Sequence, residues 1–137
     1  MTRINVIDPE DLTDQHLMAE YRELPMIMGS LRRSLKSKKG LPKIPPKYTL
    51  NAGHVTFFYN KGKFLYNRYQ LLIEHLLKRG YQLDPKRKAD FSVFHDNNLY
   101  YDWEPDDHAR RINLERITER IAAKPHWYRW YGKSLTS

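Results

Sequence analysis

The sequence predicts an all-α protein: one compact domain over residues 1–137, with three main helices, long connecting loops and an aromatic C-terminal tail. Apolar residues recur at spacings of three and four in three separate stretches, the pattern of a helix with one buried face. No set of alternating apolar and polar runs between them is long enough to build a sheet. The length of 137 residues suits one domain with a real core and is short for two. With 40% hydrophobic and 29% charged residues, the composition is that of a globular chain rather than a disordered one.

Taken in order, Asp8-Pro-Glu-Asp11 is a helix-start signal, with a capping acid, proline at the first position and further acids in the first turn. The first main helix begins at Thr13 or Asp14. Leu17, Tyr21, Leu24, Met28, Leu31 and Leu35 form its apolar stripe. Pro25 interrupts the stripe, lacks an N–H and clashes with the preceding turn, so a kink is expected there. Arg32, Arg33, Lys36, Lys38 and Lys39 crowd the far end, and Gly40 is the expected terminator. Leu41 to Lys47 holds three prolines and reads as loop. Gly53-His-Val-Thr-Phe-Phe-Tyr59 has strand-like residues but no partner, and is expected to be an ordered loop with Phe57 or Phe58 turned inward. His54 within it reads more readily as a satisfied structural histidine than as a substrate contact.

The second main helix runs from about Lys61 to Arg79, with Leu65, Tyr69, Leu72 and Leu76 inward and Gly80 as its cap. Residues 81–105 read as a long connection with a short helical turn. The third helix begins near Asp106 or Asp107 and ends before Pro125. Leu114, Ile117 and Ile121 are expected inward, with Asn113, Arg116, Arg120 and Lys124 as a separate polar stripe. The tail, Trp127-Tyr-Arg-Trp-Tyr-Gly-Lys133, alternates rings that can stack on bases with cations that can meet phosphates, or else lies as a lid over the first helix.

Net charge is +8 and unevenly spread. Residues 1–29 hold two basic and six acidic side chains, whereas residues 30–79 hold twelve basic ones and only Glu74 as an acid. A chain this polarised predicts a basic face for a polyanion. An anionic membrane is the poorer partner, because the basic segments do not share one amphipathic helix, and no apolar run approaches a bilayer span. The chain contains no cysteine, which excludes disulfides, thiolate nucleophiles and iron–sulfur clusters. The six histidines show no paired metal-binding spacing, so neither metal nor cofactor is expected. The first residues lack a signal-peptide pattern, and an intracellular, cytoplasmic protein acting on DNA as a monomer is expected.

Several stretches carry a resemblance. Thr2-Arg-Ile-Asn5, Asp14-Gln-His-Leu-Met-Ala-Glu-Tyr-Arg-Glu-Leu-Pro25, Gly53-His-Val-Thr-Phe-Phe-Tyr59, Leu77-Lys-Arg-Gly80 and Pro125-x-Trp-Tyr-x-x-Tyr-Gly-Lys133 resemble the phage-type pyrimidine-dimer DNA glycosylase and apurinic-site lyase, the endonuclease V family of ultraviolet repair. The likeness fades in 36–50 and 81–105. It implies that Met1 is removed, that the α-amine of Thr2 is the nucleophile and that Glu23 is its partner carboxylate. It also implies that Arg3, Gln15, His16, Tyr21, Arg22, Arg116 and Arg120, with Trp127, Tyr128, Arg129 and Lys133 of the tail, line the surface that meets damaged double-stranded DNA. Met26 stands where the family typically has arginine, and Tyr69 where it has glutamine, which puts affinity and lesion range in question.

The chemistry so implied is self-consistent. An α-amine titrates near about 7.7–8, so much of it is neutral around physiological pH without burial. Attack on sugar C1′ would release the base through an imine, and β-elimination would cut the strand. Two rival readings use the same residues differently. A non-catalytic DNA-binding protein would need neither the free amine nor Glu23, and a metal-dependent nuclease would use Asp106, Asp107 and His108, which also suit a helix cap.

Overall fold

The computed structural model describes residues 3–135. Its six helices are α1 (Asp14–Glu23), α2 (Pro25–Lys36), α3 (His54–Phe57), α4 (Gly62–Lys78), α5 (Ser92–Asp96) and α6 (Asp107–Ala123). Short 3-10 turns cover Pro9–Asp11 and Phe58–Asn60, and a hairpin of β1 (Arg129–Trp130) and β2 (Lys133–Ser134) closes the chain. The expected all-α architecture therefore holds, with one small addition to it.

Asp8 caps the first turn by accepting the Glu10 N–H at 2.9 Å, and the Thr13 hydroxyl caps α1 by accepting the His16 N–H at 3.1 Å. At Pro25 the expected kink is a full division into two helices. Leu24 keeps helical torsions while Pro25 becomes the first residue of α2, where its missing N–H costs nothing. The stripe survives the break: Leu17, Tyr21, Leu24, Met28 and Leu31 are all buried. α2 ends at Lys36, four residues before the expected terminator Gly40. Ser37 turns extended there, and its hydroxyl accepts the Lys39 N–H at 3.2 Å, a local bond that competes with continued helix.

Gly53 has φ of +95° and starts α3, which corrects the expected loop over 53–59 to a helical turn. A side chain at Gly53 would be strained by that torsion and would press on Pro45. Phe57, Phe58 and Tyr59 are all buried, because α2, α4 and Trp103 surround the turn. α4 buries Leu65, Tyr69, Leu72 and Leu76 against α1 as expected. It closes with Tyr81 N–H on Leu76 C=O and Gly80 N–H on Leu77 C=O, each at 3.0 Å, around Gly80 at φ +90°. At its start, a Cβ on Gly62 would overlap the Phe94 ring of α5, so glycine permits that contact.

Two expectations about α6 fail. Leu114 is 53% exposed, and Asn113, assigned to the polar stripe, is buried. The inward face is Ala109, Asn113 and Ile117. It turns this way because it packs on the polar backbone of the chain start rather than on apolar core alone: Asn113 accepts the Val6 N–H at 2.7 Å. The tail also departs from expectation by pairing as a sheet, with Arg129 opposite Ser134 and Trp130 opposite Lys133. Tyr131 and Gly132, both at positive φ, make the two-residue turn that such hairpins favour. Asp14 pins this hairpin, accepting from Tyr131 N–H (3.0 Å) and Gly132 N–H (2.8 Å) while Arg79 neutralises it at 2.9 Å.

Candidate active site

A cleft of about 460 Å³ opens between α1 and α6. Helical spacing puts His16, Ala19, Glu20 and Glu23 of α1 on its one wall, and Asn113, Arg116, Ile117 and Arg120 of α6 on the other. Arg3 and Asn5 of the chain start and Leu50 line it further, and Tyr128 of the tail covers one end.

The two carboxylates differ sharply. Glu20 is fully buried and neutralised, with Arg68 Nε on Oε2 at 2.7 Å and Nη2 on Oε1 at 3.0 Å, a two-pronged pairing. Asn5 Nδ2 donates to the same carboxylate at 2.9 Å. Glu23, half-buried, has no such guanidinium fork. Burial raises its pKa, and the nearby Glu20 charge adds to that; the Arg3 backbone N–H, which hydrogen-bonds the carboxylate, and the Arg3 charge oppose the rise.

Across from Glu23 the cleft is cationic. Arg3 is held below its ordinary pKa by burial first and then by repulsion from Arg116 and Arg120. Neither Arg116 nor Arg120 forms an ion pair with a carboxylate among the described residues. Three guanidiniums that repel one another at one cleft form a seat for an anion. His16 is neutral, its pKa lowered to about 4 by burial and by Arg120. Its ring stacks on Tyr128 with centroids 4.7 Å apart, and its Nδ1 lies 2.7 Å from the Thr13 hydroxyl.

Five of the expected site residues therefore converge with Glu23: Arg3, His16, Arg116, Arg120 and Tyr128. Others lie elsewhere. Gln15 spends both ends of its amide on the tail, donating to Trp127 C=O at 2.6 Å and accepting from Arg129 N–H at 3.0 Å, so it holds the hairpin rather than facing the cleft. Tyr21 is buried, stacked 5.4 Å from Tyr69, and belongs to the core rather than to the surface. Tyr69 is buried with it, while Met26 is 56% exposed. Arg22, Trp127, Arg129 and Lys133 are exposed around the cleft elements without lining it. Thr2 lies outside the described residues.

Sequence reasoning missed Asn5, Glu20 and Asn113 as cleft residues. Glu20 had a signal in its spacing, four after His16 and three before Glu23. Asn5 lay within the resembling stretch Thr2–Asn5, but no periodicity governs an irregular chain start.

The family model of pyrimidine dimer DNA glycosylases matches residues 1–89, which include Arg3, His16, Glu20 and Glu23. The chain belongs to that family. It is accordingly a DNA repair glycosylase whose substrate is DNA, and the cationic wall of the cleft suits a polyanion. Arg116, Arg120 and Tyr128 fall beyond the matched stretch and reach the cleft through the fold alone. No helix among the described residues is long and apolar enough to cross a membrane.

Proposed function

We propose that this glycosylase excises cyclobutane pyrimidine dimers from ultraviolet-damaged double-stranded DNA and then cleaves the abasic strand as a lyase, with the α-amine of Thr2 as nucleophile once Met1 is removed. One observation carries the reading: Arg3 of the chain start lines the same cleft as Glu23, with Arg116 and Arg120 on the opposite wall. Thr2 directly precedes Arg3 in the sequence, and on this reading its α-amine works beside Glu23.

The amine lone pair forms a bond to C1′ as the glycosidic C1′–N bond breaks, and the base leaves with that electron pair and takes up a proton. Glu23 stabilises the positive charge developing at the sugar. The sugar ring opens to a protonated imine between the amine and C1′. Loss of a C2′ proton then expels the 3′ phosphate and cuts the strand, leaving the sugar attached until water hydrolyses the imine. Glu23, with its pKa raised by burial, suits the proton transfers better than an ordinary surface carboxylate does. Glu20 serves differently, since its Arg68 partner and full burial commit it to structure.

Arg3, Arg116 and Arg120 take phosphates of the bound strand, which relieves their mutual repulsion. Trp127, Arg129 and Lys133 extend the contact outward from the hairpin, where they are exposed. Arg22 does the same beside Glu23. Tyr128, backed by the neutral His16 ring, offers a flat wall inside the cleft for a displaced base or sugar. Gln15 supports this wall by fixing the tail. Borohydride reduction of the enzyme on abasic duplex DNA, followed by peptide mass mapping, tests the reading. The expected crosslink is at the amine of Thr2; a crosslink on a lysine, or undiminished trapping by an N-acetylated enzyme, refutes it.

A further inference from the structure

We infer that His54 and Asn113 are positioning residues that hold residues 3–7 at the single register in which the chain start lines the cleft beside Glu23. The inference rests on the proposed nucleophile and asks how an irregular chain start could aim it.

Residues 3–6 belong to neither helix nor strand, so no backbone ladder sets their position. Their polar groups are taken instead by side chains from separate elements. Ile4 N–H donates to His54 Nε2 at 2.8 Å, and Ile4 C=O accepts from Tyr48 Oη at 2.8 Å. Val6 N–H donates to Asn113 Oδ1 at 2.7 Å, and Ile7 C=O accepts from Arg68 Nη1 at 2.7 Å. Asn113 Nδ2 donates to Asn5 Oδ1 at 2.8 Å, which leaves the Asn5 amide nitrogen for Glu20. His54 is itself oriented: its Nδ1 lies 2.7 Å from Thr49 C=O, so the proton sits on Nδ1 and Nε2 is free to accept.

Apolar burial alone would not set this register. Ile4 and Val6 are buried, but the hydrophobic effect is not directional and tolerates small slips. Directional bonds do not. A slip of one residue along an extended arm displaces residue 2 by about 3.3 Å, whereas a misplacement of about 1 Å can already cost about 10²-fold in rate. His54 and Asn113 are each almost completely buried, a costly place for polar side chains with no further task. They also come from α3 and α6, so the arm is gripped from both sides at alternate backbone N–H groups.

The test uses the full-length enzyme and two near-isosteric substitutions, His54→Phe and Asn113→Leu. The parent enzyme is first trapped and mapped; a crosslink away from Thr2 defeats the proposed function, and this inference with it. With the crosslink at Thr2, each variant is expected to lose at least about tenfold in single-turnover trapping rate. The affinity of His54→Phe for a duplex carrying a non-cleavable abasic analogue should stay within about twofold, a split that general destabilisation would not produce. Trapping at the parent rate by folded variants overturns the inference alone. Amide hydrogen exchange on the parent enzyme gives an answer even if both variants fail to fold: Ile4 and Val6 N–H should exchange as slowly as the core of α1 and α4, and rapid exchange at both overturns the inference.

Discussion

Acidification should loosen this protein in part through His54. The folded state holds its pKa at about 4, with burial the largest cause, against an ordinary value of 6.5. Arg3 and Arg116 push the same way, while the hydrogen bond to Thr49 C=O opposes them. A base whose folded pKa is depressed binds fewer protons when folded, so the folded state is favoured fully above pH 6.5 and progressively less as pH falls toward 4. At about 1.4 kcal/mol per pKa unit, the full gap corresponds to roughly 3 kcal/mol, of which about 2 kcal/mol is already lost at pH 5. That is a large share of the ~5–15 kcal/mol that holds a domain of this kind together. Protonation also removes the acceptor for Ile4 N–H, so the chain start should be released in the same range. Urea denaturation at several pH values between 7.5 and 4.5 measures the slope. His54→Phe should be less stable at neutral pH, and its slope should be shallower by up to one proton, about 1.4 kcal/mol per pH unit. Identical slopes for parent and variant would show that His54 does not titrate in this way. His16, also lowered to about 4, contributes to both slopes alike and does not affect the comparison.

Glu23→Gln should lower base release at least ~10²-fold while preserving DNA binding; because burial raises the pKa of Glu23, its ionised form is disfavoured by folding, and the variant should be no less stable than the parent above pH 5. Near-normal cleavage by the folded variant would remove Glu23 from the chemistry. Replacing Arg116 and Arg120 by Ala should reduce the slope of log K against log salt by up to about two, measured by fluorescence anisotropy on damaged duplex, and an unchanged slope would place both side chains off the phosphates. Asp14→Ala leaves the buried Arg79 without its carboxylate and the hairpin without its anchor, so a loss of roughly 3–5 kcal/mol is expected in denaturant titrations; a loss below about 1 kcal/mol would mean that the tail is held in some other way.

Much of this architecture was legible in the chain itself. Periodic apolar spacing specified α4 and the paired helices α1 and α2, because a helix that buries one face must repeat every three or four residues. Capping chemistry at Asp8, Thr13 and Asp106 marked the starts, since each side chain satisfies an N–H that the helix leaves open. The motif from Asp14 to Pro25 pointed to Glu23, and polar spacing on α6 pointed to Arg116 and Arg120. Only the tertiary structure decided which faces met. Asn113 and Leu114 exchanged their expected places because α6 packs on the polar backbone of the chain start, a partner more than a hundred residues away that no local pattern encodes. Tyr21 and Gln15 carried the right residue types for a DNA surface, yet one stacks on Tyr69 and the other clamps the tail. His54 shows the same division: its residue type allowed either a ligand or a core role. What settled it was the placement of Ile4 N–H on one ring nitrogen and Thr49 C=O on the other, contacts made across 50 and 5 residues of sequence. Local sequence sets torsions, caps and periodicity through near neighbours, whereas the partner of a buried polar group is chosen by the packing of distant segments.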